Sequence, residues 1–255
     1  MTRLIRVELL KLRTMRLSYG LLATAAGITA MFAVLNATRG STINTASGLN
    51  TEILVGVWAL LLSAIFGVVV SSGEFRHSTA TLTYLATPRR NRVLVAKVIA
   101  AAGGGVAFGL AGGLIATGIG LIFAAGHGYH LALGAATLTR YAVGYVVGAA
   151  LLAAVGCALG SLIRSQLAAI IGVFVWAVVI ESVLGSLFPA IRAYLPYAAA
   201  TTLAGARIGY STFGPGHGAS AATPLPFAAA AALLAALAVV LAAVAARTTV
   251  ARDVS

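Results

Sequence analysis

Apolar runs of about 20 residues recur along this chain from end to end, each long enough to cross a hydrocarbon core about 30 Å thick. They fall at 17–35, 53–72, 98–125, 141–163, 167–188 and 225–246. A membrane β-barrel would show short segments that alternate apolar and polar residues, whereas these runs are continuous and rich in Ala and Leu. The expectation is an all-α polytopic membrane protein, with residues 1–255 forming one transmembrane domain of six helices. Only 9% of the residues are charged and mean hydropathy is +1.02, where a soluble domain would be about one quarter charged. The first run is too long for a signal-peptide core and lacks a small-x-small cleavage site, so it is expected to stay as a span.

The few charges are strongly biased in sign, with a net charge of +12. In a soluble protein that excess would suggest nucleic acid. In a membrane protein it is the excess of basic residues that faces the anionic cytoplasmic leaflet, so lipid is the expected partner and nucleic acid is not. Assigning alternate loops to alternate sides leaves only Arg39, Arg140, Arg192 and Arg207 of the 17 basic residues on the outer side. Both termini are therefore expected in the cytoplasm, with the chain in the plasma membrane.

Residues 1–16 interleave Arg3, Arg6, Lys11, Arg13 and Arg16 with leucines. At about 100° per residue these charges scatter around the helical wheel. Two readings stand: a short helix at the interface, its long basic side chains reaching to water, or a basic flank that sets orientation. Small residues at four-residue spacing mark the third and fourth runs, at Gly105, Gly109 and Gly113, Gly144 and Gly148, and Gly156 and Gly160. Such faces let helix backbones approach closely, either within one chain or between two.

Catalytic chemistry is sparse. Neither lysine, Lys11 nor Lys97, follows a glycine, so there is no Gly-x-x-x-x-Gly-Lys-[Ser/Thr] phosphate loop. His77, His127, His130 and His217 with the single Cys157 form no set at metal-ligand spacing, and no metal site is expected. The chain is not expected to be an enzyme. One ionisable residue lies inside an apolar run: Glu181, in Val-Val-Ile-Glu-Ser-Val-Leu. A carboxyl group there either lines a substrate path, together with aromatics such as Trp176, or serves a structural role near the outer end, hydrogen-bonded by neighbours such as Ser182.

The longest polar, basic stretch separates the second and third runs and includes Glu74, Phe75, Arg76, His77, Ser78, Thr79, Leu82, Pro88, Arg89, Arg92 and Lys97. Glu74 to Leu85 contains no Gly or Pro, and Pro88 is a stop, so a short helix is expected with Glu74 in its first turn. This segment resembles the cytoplasmic coupling region between the second and third helices of permease subunits of type-2 ATP-binding-cassette (ABC) exporters. That region carries an acidic residue, a Gly-Thr pair, then Pro with following Arg residues and a Lys entering the next helix. Here the pattern falls on Glu74, Ser78-Thr79, Pro88, Arg89, Arg92 and Lys97, with Ser78 in the glycine position. The resemblance continues in Glu-Leu-Leu-Lys-Leu-Arg at Glu8–Arg13, which includes Lys11, in six helices, and in a Pro-containing outer region before the last helix.

The resemblance implies a permease without its own ATPase, which pairs with a separate ATP-binding subunit that holds ATP and Mg, and with a second permease chain. Glu74–Leu82 would dock the ATPase subunit, flanked by Glu8, Lys11, Arg13, Arg89, Arg92 and Lys97. Short re-entrant helices are implied between the fifth and sixth spans. A path lined by Ala, Gly, Leu, Val and a few aromatics suits an amphipathic, drug-like, peptide or lipid-like cargo. The alternatives are a secondary transporter, for which no inverted repeat is evident, and a non-transporting membrane scaffold.

Overall fold

The computed structural model describes residues 1–39, 56–76, 90–126, 134–163, 165–205, 210–211, 214–215 and 224–248. Helix α1, Thr2–Thr14, ends where Met15 turns extended (φ −76°, ψ 108°), and α2, Arg16–Arg39, starts afresh. Of the two readings of the N-terminus, the helix is the one found. Glu8 and Leu12 are buried on one face of it. That face lies on α4, where Leu12 and Leu9 lie against Gly104 and Gly103.

Helix α3 is Val57–Arg76, α4 is Arg90–Gly126 and α5 is Ala135–Leu162. At 1.5 Å per residue the 37 residues of α4 extend about 55 Å, well beyond the hydrocarbon thickness, so its basic first turns project past the apolar layer. The expected third span, 98–125, is only the apolar part of this helix. The fifth run forms α6, Gln166–Val175, a π-helical turn at Trp176–Ile180, and α7, Glu181–Leu187. A 3-10 turn, Pro189–Tyr194, and α8, Pro196–Leu203, follow, each with proline at its first position, where no backbone N–H is missed. A two-residue hairpin pairs Tyr210–Ser211 with Gly214–Pro215, and α9 is Phe227–Arg247.

Among the described residues, five helical stretches are long and apolar enough to cross a membrane: those at 16–38, 91–126, 135–162, 166–187 and 227–247. The apolar part of α3, Val57–Gly73, is shorter than these. The molecule is thus a helical membrane-type bundle. Several of its polar side chains satisfy themselves on their own helix, as apolar surroundings demand, while the buried Thr29 hydroxyl of α2 has no hydrogen-bond partner among the described residues. Thr24, Asn36, Thr38, Ser63, Ser72 and Ser182 all bond carbonyls three or four residues back on their own helix.

The centre of the bundle is α5, and its contacts fix the direction of its neighbours. Gly109 and Gly113 of α4 meet Tyr145, while Gly105 meets Ala149 and Ala153, so α4 and α5 are antiparallel. Gly148, Gly156 and Gly160 meet Leu60, Ala64 and Val68, so α3 and α5 are parallel. Gly144 meets the Leu203 carbonyl of α8. All seven glycines singled out in the sequence therefore serve packing within the chain. Leu94 and Ala245 pack together, which brings the end of α9 to the start of α4. One end of the bundle gathers α1, the last turn of α3, the first turns of α4 and the end of α9. The opposite end holds α7 and α8.

Candidate functional site

At the α7–α8 end, the π turn and the Pro196 start of α8 combine around one carboxyl group. Glu181 is 6% exposed. Its Oε1 accepts from the Trp176 indole N–H at 3.0 Å and from the backbone N–H of Tyr197 at 2.8 Å. Its Oε2 accepts from the backbone N–H of Ala198 at 2.9 Å. Tyr197 and Ala198 follow Pro196 in the first turn of α8, whose N–H groups have no partner within their own helix. Glu181 is thus a cap supplied from another helix, 16 residues earlier in the chain, with its carboxyl group at the positive end of the α8 dipole. Ser182 takes no part in it; its hydroxyl donates to Val178.

Two further ties hold α8. The Tyr197 hydroxyl donates to the Val57 carbonyl of α3 at 3.0 Å, and Leu203 abuts Gly144 of α5. Burial, with the nearby Glu181 carboxyl group, pushes the Tyr197 phenol well above its ordinary range, which keeps it a donor.

Beneath this clasp lies a cavity of about 410 Å³. Ala64 of α3, Val155 and Leu159 of α5, Val173 of α6, and Leu237 and Leu241 of α9 line it, and Glu181 and Tyr197 border it. Its wall is almost wholly apolar. Trp176 borders it as well and is 43% exposed, so this indole lies where the cavity meets the surface. The sequence-predicted pair Glu181 and Trp176 is brought together directly. Sequence reasoning missed Tyr197 and the Ala198 amide. Pro196 as a helix start was the only signal, and nothing in it indicates a carboxyl group 15 residues earlier.

At the opposite end, α3 runs unbroken through Glu74 and Phe75 to Arg76. Glu74 therefore lies in the last turn of α3 and not in the first turn of a separate helix, because neither Gly73 nor any proline interrupts the helical hydrogen bonding. The side chains of Glu74, Phe75 and Arg76, and all of His77, Ser78, Thr79, Leu82 and Arg89, lie outside the described residues. Of the flanking residues, Glu8 is buried and pairs with Lys11 at 2.8 Å. The Arg13 carbonyl accepts from the Tyr19 hydroxyl at 2.9 Å, which clasps the break between α1 and α2. Lys97 is buried within α4, while Arg92 is exposed at its start. These residues share one end of the bundle, with α1 and α4 in contact. No protein-family model matches this chain, and no curated protein matches it.

Proposed function

We propose that this chain is the membrane-spanning permease subunit of an ABC exporter, with six spans and both termini in the cytoplasm of a cell whose plasma membrane it crosses. It moves an amphipathic, drug-like, peptide or lipid-like substrate outward, and a separate ATP-binding subunit supplies the ATP hydrolysis. The observation that carries this reading is the interrupted fifth helix and the capped α8 above an apolar cavity. A π turn and a short helix, capped by Glu181 at its start and packed on Gly144 and Gly148 of α5, form a discrete element that can change its packing, and a transporter needs such an element at one end of its path. In this reading the ATPase subunit docks on 74–82 and pushes on α1 and α3, and a second permease chain completes the path.

The test is to co-express the chain with candidate ATP-binding subunits, isolate the assembly and reconstitute it in vesicles. Nucleotide-driven export is expected from the wild type. Glu74→Lys or Arg76→Glu is expected to leave ATP hydrolysis in place while export is lost. Export driven by an ion gradient without nucleotide would overturn the reading in favour of a secondary transporter. Intact, coupled export in both variants would overturn the docking assignment.

A further inference from the structure

A second cleft, of about 490 Å³, opens where α1 crosses α4 beside the start of α2. Its floor is apolar: Leu12 of α1, Leu22 of α2, Phe66 of α3, and Ala107 and Phe108 of α4. Phe66 and Phe108 pack at 5.1 Å between ring centroids and close its depth. Its rim is cationic. Arg6 and Arg13 both line it, and seven residues apart on a helix they point to the same side, about 20° from eclipsed. Both are exposed, and neither has an ion-pair partner among the described residues. The nearby carboxyl group, Glu8, is buried and engaged by Lys11, so it does not neutralise them. Ser18 also lines the cleft, and its hydroxyl oxygen is shut off from solvent with no hydrogen-bond partner.

We infer that this cleft is a binding site for one acidic phospholipid of the adjoining leaflet. An apolar slot under a paired cationic rim matches an acyl chain below a phosphate. The two guanidiniums offer forked N–H donors to the phosphate oxygens. Charge complementarity selects an anionic headgroup over a zwitterionic one, since each basic residue near an anionic surface adds a similar increment of attraction. Leu10 and Tyr19, exposed beside the slot, extend its apolar lip toward the surrounding lipid. The bound lipid would pin α1 to α4 across the extended break at Met15. The inference needs only a membrane-embedded chain and stands apart from the transport reading.

The experiment uses the full-length chain in phosphatidylcholine nanodiscs with and without phosphatidylglycerol, and native mass spectrometry of the released protein. Wild type is expected to retain one phosphatidylglycerol and to prefer it over phosphatidylcholine. Arg6→Gln or Arg13→Gln should weaken retention roughly fivefold each, and the pair about thirtyfold. Ala107→Leu, which narrows the slot and keeps both arginines, should also reduce retention. Thermal melts of each variant confirm that the fold is kept. Equal retention of the two lipids, or no loss in the double arginine variant, would overturn the inference. So would competition by inorganic phosphate as strong as by the lipid, or crosslinks from Tyr19 that reach a protein subunit in place of lipid.

Discussion

A methyl group added to Gly156 on α5 would strike the backbone carbonyl of Ala64, whereas one added to Gly172 on α6 would meet nothing within 4 Å. Both glycines sit within helices and both border the same cavity. The first belongs to a seam where α5 touches α3 and α4 backbone to backbone at four of the chosen glycines, Gly105, Gly109, Gly156 and Gly160. In lipid, where apolar surface gains nothing by pairing, such close approach supplies the dispersion contacts that hold helices together. The second belongs to a helix that packs on α3 along one side, with Ala169 buried there and Ala177 and Val178 buried in the turn that follows, and leaves the space around Gly172 open. The contrast separates a rigid frame, α3–α4–α5, from a clasped element, α6–α7–α8, and a conformational change would run through the clasp.

The largest effect that tests this division is Gly156→Ala. The atom struck is backbone and cannot rotate away, so overpacking should cost about 3 kcal/mol and lower the thermal midpoint of the purified chain sharply. A wild-type midpoint for this variant would break the comparison. Next comes Glu181→Ala, which strips the acceptor from the buried Tyr197 N–H and the half-buried Ala198 N–H of α8 and from the Trp176 indole. About 2 kcal/mol should be lost. The loss should appear locally, as faster hydrogen exchange at 196–203 with little change along α5. Exchange that rises equally in both regions would mean that the clasp and the frame are one unit.

Most of the frame was legible in the sequence, and most of the clasp was not. The six apolar runs and the small-residue spacing at Gly105, Gly109 and Gly113 reflect local composition and helical period, which a sequence displays directly. The partner of each stripe was not legible, because a stripe of small residues reads the same whether it faces its own chain or another. Glu181 could be singled out because an ionisable residue in an apolar run is costly. Its partners could not, because two of them are backbone amides brought near by a π turn, a proline bend and a short helix, features fixed by tertiary packing. Glu74 was misplaced for a related reason: polarity begins at Glu74, but helical hydrogen bonding continues to Arg76 and ignores the change in hydropathy.

A smaller effect comes from a side-chain hydrogen bond that crosses the frame between α3 and α5. Ser71 of α3 and Ser161 of α5 lie 2.6 Å apart, and Ser161 also donates to the Cys157 carbonyl. Ser161→Ala leaves the Ser71 hydroxyl without this cross-helix partner in a buried site, so it should cost about 1 kcal/mol, in the range of interhelical bonds in membranes. Ser71→Ala should cost less, because Ser161 keeps its own carbonyl. A cost for the double variant equal to the sum of the singles would show that the two hydroxyls are not coupled. The frame would then rest on its backbone contacts alone.

Gly172→Ala carries the smallest expected change, and it has the opposite sign. The added methyl meets open cavity, not protein, and alanine removes the conformational freedom that glycine keeps in an unfolded or loosened helix. The variant should be stabilised by roughly 0.5 kcal/mol, read as a small rise in thermal midpoint, while the same substitution at Gly156 lowers it. In the transport reading the methyl also narrows the cavity beneath Glu181, so export of a bulky amphipathic substrate should fall even as the protein becomes more stable. Greater stability with unchanged export would show that the cavity is a packing defect and not part of the path. Lower stability would mean that α6 closes on α9 within the membrane and that Gly172 provides the room for it.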